Sequence, residues 1–207
     1  ALFRMNLLYG ARQSEFLGLQ WNDVDFEAKT FVIHQSLQKT YVGTEVDFFP
    51  TKNDASIRLL SLPDQIFTAL QKHRENQKAE RVWAGKNWKG VGKWDNLVFT
   101  NEIGEPLPAH HVSRRFKRLL KKAGITDMTF NECRNGVVTL LDALGEQPKT
   151  TADVMGHANP STTVNVYARV SNESKKQAID KLCQPLDPHL SPCVLQWYLF
   201  HLKKRTC

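Results

Sequence analysis

Apolar residues recur at helical spacing through most of the chain and predict a mainly α-helical protein. Near the start, Leu2, Met5 and Leu8 share one apolar face, which predicts a helix over residues 2–9 that ends at Gly10. The same reasoning predicts further helices over residues 13–20, 64–78, 109–123, 131–144, 148–155, 160–170 and 173–182. Because an apolar helix face opens the chain, we expect it to be a segment of a longer protein.

Runs rich in β-branched and aromatic residues predict a small antiparallel sheet. We expect strands over residues 30–34, 45–49 and 56–62, and a short strand-like run over residues 96–100. Asn53 and Asp54 supply turn chemistry between the second and third of these strands, so we expect those two strands to form a hairpin. The predicted fold class is therefore α+β, mainly α-helical, with a small three-stranded antiparallel sheet.

Composition narrows the class of protein. Apolar residues make up 41% of the chain, which is enough for a packed core, and no stretch reaches the ~18 apolar residues of a membrane span. The cysteines have neither the pairing of a disulfide framework nor the spacing of a zinc site, which favours a reducing, cytoplasmic environment. The chain shows no Walker-type Gly-Lys-Ser/Thr loop and no carboxylate cluster for Mg²⁺.

The positive charge of the chain favours a polyanionic partner. The net charge is +7 and the isoelectric point is near 9.3, which is typical of proteins that bind nucleic acid. Much of this charge lies in the helix predicted over residues 109–123 and in a basic loop over residues 84–94. A solvated cationic face is the ordinary alternative. The candidate DNA-binding residues are Arg114, Arg115, Lys117, Arg118 and Lys121.

Two candidate chemical groups lie in the first quarter of the chain. Arg12 and Glu15 are three residues apart at the start of a predicted helix, so the carboxylate can hold the guanidinium on one face. Lys52 lies near the predicted β-turn, where a mobile ammonium can reach a leaving oxygen. Taken singly, the first pair is an ordinary ion pair at a helix start and the lysine is an ordinary solvated side chain.

Two further candidates lie in the predicted helices of the second half. Asn131 and Arg134 are three residues apart, so both can point to one site, and an arginine there can bind a phosphate through two hydrogen bonds. His157 follows Gly156, and Tyr167 comes ten residues after His157. Taken singly, these residues also fit a surface salt bridge, a core tyrosine or a plain helix-turn-helix DNA reader.

The order of these motifs resembles the tyrosine recombinase family of the phage-integrase type. The resemblance consists of Gly-x-Arg-x-x-Glu-x-x-x-Leu-x-Trp-x-Asp over residues 10–23, Thr-Lys before a strand, an arginine helix, and Gly-His followed by a tyrosine ten residues later. It extends over residues 2–170. The resemblance implies a catalytic domain that cleaves and rejoins DNA strands through a 3′-phosphotyrosyl intermediate, without a metal or cofactor.

The resemblance also implies a role for each candidate. Arg12 and Arg134 would bind the scissile phosphate, and Glu15 would support the first of them. Lys52 would protonate the departing 5′ oxygen, and His157 would donate a hydrogen bond to the phosphate. Tyr167 would be the nucleophile.

Two positions depart from the family pattern. Where relatives have His-x-x-Arg-His, this chain has Asn131-Glu-Cys-Arg134-Asn135. Asn131 can hydrogen-bond a phosphate oxygen, but it does not exchange a proton near neutral pH, so we expect attenuated activity. The alternatives are a catalytically impaired DNA-binding relative and a type IB topoisomerase-like enzyme.

The resemblance finally implies a domain plan and partners. Residues 1–182 would form the catalytic domain, and the family's N-terminal core-binding domain is absent from this chain. Residues 183–207 would be a linker and a tail, and the tail is interpreted either as a subunit-exchange segment or as a foreign tail. The expected partners are double-stranded DNA and copies of the same chain, monomeric in isolation and tetrameric in a synapse on DNA. The expected location is the cytoplasm, on the nucleoid and not in a membrane.

Overall fold

The computed structural model describes residues 1–40, 45–51, 56–125, 128–157 and 163, and this part contains six α-helices and five short strands. All of these residues lie in the first of two structural units, Ala1–Tyr167. Within this part, no helix combines the length and apolar character that crossing a bilayer requires. The helices are α1 (Leu2–Tyr9), α2 (Gln13–Leu17), α3 (Asp64–Ala84), α4 (Ala109–Lys122), α5 (Phe130–Ala143) and α6 (Pro148–Met155), and the strands are β1 (Val24–Asp25), β2 (Thr30–Ile33), β3 (Gln35–Lys39), β4 (Val46–Pro50) and β5 (Arg58–Ser61).

Local sequence signals explain where the helices near the candidate site begin and end. α1 ends at Gly10, which adopts the left-handed conformation (φ +57°) and donates its N–H to the Asn6 carbonyl at 3.0 Å. α5 begins with a capping box, in which Thr129 and Glu132 accept each other's backbone N–H groups. The predicted bounds of α1 and α6 are confirmed, and α5 differs from its prediction by one residue at each end.

The strands form two antiparallel sheets among the described residues. β2 lies between β1 and β5 in a three-stranded sheet, while β3 and β4 form a separate two-stranded sheet. A small antiparallel sheet is thus confirmed, but its predicted membership is wrong, because the third strand beside β2 and β5 is β1 and not the strand predicted over residues 45–49. The predicted hairpin is also wrong. β4 pairs with β3, placing Leu37 opposite Phe48, and β5 pairs with β2, placing Phe31 opposite Leu60. The segment with turn chemistry therefore connects strands of two different sheets.

Two predicted helix ends and one predicted strand differ more from the structure. α2 ends at Leu17, three residues early, because Gly18 and a short 3₁₀ turn over Trp21–Asp23 follow it. α3 continues to Ala84, since the chain has no helix-breaking residue before Gly85. The strand expected over residues 96–100 is replaced by isolated bridges, Leu97 to Gln20 and Thr100 to Pro106. The helices predicted over residues 160–170 and 173–182 lie outside the described residues, except for Thr163.

The basic helix predicted over residues 109–123 is confirmed as α4, one residue shorter at its end, and the structure shows that one of its faces is buried. Val112, Phe116 and Leu120 are buried, and the Phe116 ring lies 4.9 Å from the Phe130 ring, centroid to centroid. These contacts pack α4 beside the start of α5. The opposite face of α4 is exposed and carries Arg114, Arg115, Lys117, Arg118 and Lys121.

A buried glutamine joins α3 to the segment that precedes α4. Gln77 donates hydrogen bonds from Nε2 to the carbonyls of Leu97 and Val98 at 3.0 and 3.2 Å and to the Thr100 hydroxyl at 2.9 Å. Its Oε1 accepts the indole N–H of Trp21 at 2.7 Å. One side chain thereby satisfies the polar groups of a buried, irregular segment, as buried backbone requires.

Candidate active site

Arg12 stands at the N-cap of α2, immediately after the turn that ends α1. The Glu15 carboxylate accepts the Arg12 backbone N–H at 2.9 Å and the Arg12 Nη1 at 2.7 Å. The ion pair that the three-residue spacing indicates is therefore present. The Glu15 side chain is 3% exposed and that of Arg12 is 49% exposed. The buried carboxylate therefore holds the Arg12 guanidinium on its inner side, and the outer side of the guanidinium faces solvent.

A second arginine, which the sequence reasoning missed, shares the same carboxylate. Arg58 on β5 donates from Nη2 to Glu15 Oε2 at 2.7 Å, and its side chain is 5% exposed. Its sequence signal is the alternation along β5, where Arg58 has the same parity as the buried Leu60. An arginine on the buried face of a strand requires a buried acidic partner.

Arg134 lies at the junction of three helices. Its Nη1 donates to the Gly10 carbonyl at 2.8 Å, and its Nη2 donates to the Met155 carbonyl at 2.6 Å. The side chain is buried, yet two hydrogen bonds use only part of the five N–H donors of a guanidinium. Arg134 therefore joins the ends of α1 and α6 and retains N–H groups that can bind an anion.

Asn131 faces the same space as Arg12 and Arg134. A cavity of about 280 Å³ is lined by Arg12, Asn131 and Arg134, together with Ser113 of α4. Asn131 itself is exposed, as expected for a residue that contacts a ligand rather than the core. The predicted spacing of Asn131 and Arg134 on one helix thus brings both to one cavity.

His157 follows Gly156 at the end of α6, where its backbone N–H bonds to the Ala152 carbonyl at 2.9 Å. Its Nδ1 lies 2.8 Å from the hydroxyl of Thr163, a fully buried residue that the sequence reasoning did not single out. This contact orients the imidazole ring and leaves Nε2 as the ring nitrogen that is available to a further partner.

Burial and the charges of the site together shift three pKa values. Burial raises the pKa of Glu15, but the charge and hydrogen bond of Arg58 and the hydrogen bonds of Arg12 outweigh it, so the net pKa is lowered. Burial, then the charge of Arg12, lowers the pKa of Arg134 to about 10, which leaves it protonated at neutral pH. Burial, then the charge of Arg134, lowers the pKa of His157 to about 4. The site therefore contains a neutral imidazole and an excess of fixed positive charge.

Two predicted site residues, Lys52 and Tyr167, lie outside the described residues. Thr51, which directly precedes Lys52, lines a second cavity of about 560 Å³ together with Arg12 and Glu15. This cavity connects the end of β4 with α2. The other predicted residues, Arg12, Glu15, Asn131, Arg134 and His157, lie on α2, α5 and the end of α6.

The predicted DNA-binding residues form a surface on α4. Arg114, Arg115 and Arg118 line a concavity of about 470 Å³. Ser113, on the adjoining side of the helix, lines the cavity that contains Asn131 and Arg134. The basic face of α4 therefore begins next to the candidate site. No group of three His, Cys, Asp or Glu side chains in the described part of the chain is arranged to hold a metal ion.

Comparison with known proteins identifies relatives over nearly the whole chain. A sequence model of the phage integrase family matches residues 1–174. A tyrosine recombinase XerC-like protein of Caldanaerobacter subterraneus subsp. tengcongensis is 32% identical over 192 residues, which are 88% of this chain and 48% of that protein. The ICEBs1 integrase of Bacillus subtilis is 26% identical over 180 residues, 87% of this chain and 47% of that protein.

Solved structures give the same result. The Tn1549 transposon integrase in complex with transposon right end DNA superimposes with a TM-score of 0.70 at 25% identity, over 88% of this chain and 57% of that one. The crystal structure of XerA recombinase gives a TM-score of 0.61 at 17% identity, which reflects the fold alone. The chain spans about half the length of the curated relatives that it matches.

Proposed function

The chain belongs to the phage integrase family. We propose that it is the catalytic domain of a site-specific DNA recombinase, which cleaves and rejoins DNA strands through a 3′-phosphotyrosyl intermediate. The observation that carries the proposal is the cavity shared by Arg12, Asn131 and Arg134. Two guanidiniums and an amide form a set of donors suited to the oxygens of one phosphodiester. The proposal includes the roles of Lys52 and Tyr167, which lie outside the described residues.

The proposed reaction is a transesterification. The Tyr167 hydroxyl oxygen attacks the phosphorus and releases its proton to solvent, the bond to the 5′ oxygen breaks, and Lys52 donates a proton to that leaving oxygen. Arg12 and Arg134 neutralise the negative charge that grows on the phosphate oxygens, and loss of one such donor raises the barrier by roughly 3–4 kcal/mol. The free 5′ hydroxyl of a partner strand then attacks the phosphotyrosine and returns a proton to Lys52, which restores the phosphodiester and releases Tyr167, whose oxygen takes up a proton from solvent.

The neutral His157 fits this scheme as a hydrogen-bond donor rather than as a cation. Its pKa of about 4 keeps the ring uncharged at neutral pH, with Thr163 at Nδ1. A proton on Nε2 would then point to the phosphate. Asn131 supplies a second neutral donor at the position where relatives have a histidine, and we propose that its inability to exchange a proton attenuates the rate.

The partners follow from the charges and from the relatives. We propose that double-stranded DNA lies over the cavity and the basic face of α4, since DNA is present in the complex of the Tn1549 integrase. From the resemblance to the family, we further propose that the chain is monomeric alone, forms a tetrameric synapse on DNA, and acts on the nucleoid in the cytoplasm.

The decisive experiment captures the covalent intermediate. Purified protein is incubated with a pool of nicked DNA duplexes whose sequence is randomised on both sides of the nick. Cleavage close to the nick releases the short fragment between the cleavage site and the nick, and loss of its 5′ hydroxyl traps the cleaved strand on the protein. We expect an SDS-stable adduct on the 3′ phosphate that is absent from Tyr167→Phe and retained in Tyr9→Phe, a control at a buried tyrosine of α1. The proposal fails if the wild-type protein forms no adduct, or if Tyr167→Phe still does.

A further inference from the structure

Arg58 is a buried cation that the proposed chemistry leaves without a role. Its side chain is 5% exposed, so it does not contact DNA, and its nearest acidic group is Glu15, which is 3% exposed. Burying a guanidinium is unfavourable unless a carboxylate and good hydrogen bonds compensate it. A core position next to Leu60 would ordinarily hold an apolar residue, which points to a specific function for this charge.

One function is visible at the Glu15 carboxylate. Oε1 accepts from Arg12 Nη1, while Oε2 accepts from Arg58 Nη2, each at 2.7 Å. Arg58 therefore fixes the carboxylate from the core side, and the carboxylate fixes Arg12 on the solvent side. Without Arg58, the buried Glu15 loses the strongest charge that keeps it ionised.

A second function is visible at the turn that carries His157. The Arg58 Nη1 donates to the Ser56 carbonyl at 2.9 Å, and the Ser56 hydroxyl lies 3.5 Å from the Gly156 carbonyl. A Cβ atom added to Gly156 would lie 2.6 Å from Arg58 Nη1. The guanidinium thus packs directly against the backbone of Gly156, and only a glycine leaves room for it.

We propose that Arg58 is a positioning residue that holds the Arg12–Glu15 pair and the Gly156–His157 turn in one fixed geometry, so that Arg12 and His157 meet the same phosphate. The proposal deepens the function proposed above and rests on it for the identity of the ligand. It also explains the glycine of the Gly-His motif, since Gly156 has φ +66° and faces the guanidinium.

The first test needs no reaction and uses two matched glycines. Gly145 has φ +83° and nothing within 4 Å of an added Cβ, so Gly145→Ala introduces backbone strain alone, whereas Gly156→Ala adds a collision with Arg58. We expect Gly156→Ala to raise the unfolding constant in urea about tenfold more than Gly145→Ala does. In an Arg58→Met background this excess should disappear.

The second test separates positioning from folding and from DNA affinity. We expect Arg58→Met to lower the single-turnover rate of adduct formation about a hundredfold, with DNA affinity within about twofold of wild type. Arg58→Lys keeps the charge opposite Glu15 but lacks the two-nitrogen fork, so its rate should be intermediate. Arg81→Met is the matched control, because it removes an arginine of α3 whose ion pair with Asp95 is exposed, and it should cleave at the wild-type rate.

The outcomes distinguish the two proposals. A wild-type protein that forms no adduct overturns the proposed function, while the glycine comparison still decides whether Arg58 holds the Gly156 turn. A wild-type rate in Arg58→Met, or an equal cost of the two glycine substitutions, overturns the role of Arg58. If Arg58→Met does not fold, Arg58→Lys replaces it in both tests. The role of Arg58 is then overturned if Arg58→Lys cleaves at the wild-type rate and Gly156→Ala still destabilises it more than Gly145→Ala does.

Discussion

The Arg134 guanidinium donates a hydrogen bond of 2.6 Å to the main-chain carbonyl of Met155, two residues before His157. A second bond, of 2.8 Å, reaches the carbonyl of Gly10, two residues before Arg12. Arg134 therefore fixes the two backbone segments that carry other site residues, in addition to lining the cavity itself.

Arg134→Lys should impair both catalysis and folding. A lysine ammonium is a point donor that does not reproduce the two-pronged contact, so one carbonyl is left without its partner and one phosphate donor is lost. We expect adduct formation to slow by about a hundredfold to a thousandfold, and the urea midpoint to fall. Arg81→Lys is the control, because its ion pair with Asp95 is exposed. A wild-type rate in Arg134→Lys would exclude Arg134 from the phosphate site.

Asn131→His should accelerate the reaction. The substitution places a titratable group in the cavity next to Arg134, and general acid–base assistance contributes typically about a hundredfold or more. We expect the rate of adduct formation at pH 7 to rise by about tenfold or more, with Asn135→His, an exposed residue of the same helix, as the control. An unchanged rate would show that Asn131 does not limit the enzyme.

Stability should decrease as the pH falls below about 6.5. The folded-state pKa of His157 is about 4 and that of His73 is also lowered, chiefly by burial, from the ordinary value of 6.5. The unfolded chain therefore binds more protons in this interval, so the free energy of unfolding falls from pH 6.5 towards pH 4. Urea midpoints at pH 7 and pH 5 measure the effect.

A substitution at His73 isolates one part of this pH dependence. His73 Nε2 lies 2.7 Å from the Val98 carbonyl, so the neutral ring must donate there. Gln retains a donor but takes up no proton, and His73→Gln should reduce the difference between the two midpoints. An undiminished difference would assign the pH dependence to other groups.

Gln77→Glu should destabilise the fold without touching the site. The substitution replaces the amide that donates to Leu97, Val98 and Thr100 by a buried carboxylate. Each buried polar group left without a partner costs about 1–3 kcal/mol, so a loss of at least that size is expected in the free energy of unfolding. Gln71→Glu, on an exposed position of α3, is the matched control. Equal urea midpoints for the two variants would contradict the assigned role of Gln77.

DNA binding should depend on salt through α4. Arg115 and Lys117 lie on its exposed face, and each phosphate contact adds about one to the slope of log affinity against log salt. We expect Arg115→Ala and Lys117→Ala to weaken binding to all sequences similarly and to reduce that slope by about one. Lys78→Ala, which removes an exposed pair with Glu75, should leave the slope unchanged. If these variants lost affinity only for particular DNA sequences, the two side chains would contact bases instead of phosphates.

Much of the fold could be predicted because its signals are local. Gly10 and Gly156 end their helices in the left-handed conformation, and Pro148 begins α6, so the bounds of α1 and α6 could be predicted from neighbouring residues alone. The buried stripe of α4 follows equally from helical periodicity. Strand pairing is different, because alternation identifies a strand but not its partner, and β4 pairs with β3 rather than with β5.

The sequence by itself determined the family, the order of the motifs and the helices that carry Arg12, Asn131 and Arg134. Only the tertiary structure decided that these three line one cavity, that Arg58 shares Glu15 with Arg12, and that Arg134 holds the ends of α1 and α6. The physical reason is that each of these contacts joins residues distant along the chain. Their approach depends on the packing of several elements at once, which no local pattern of side chains specifies.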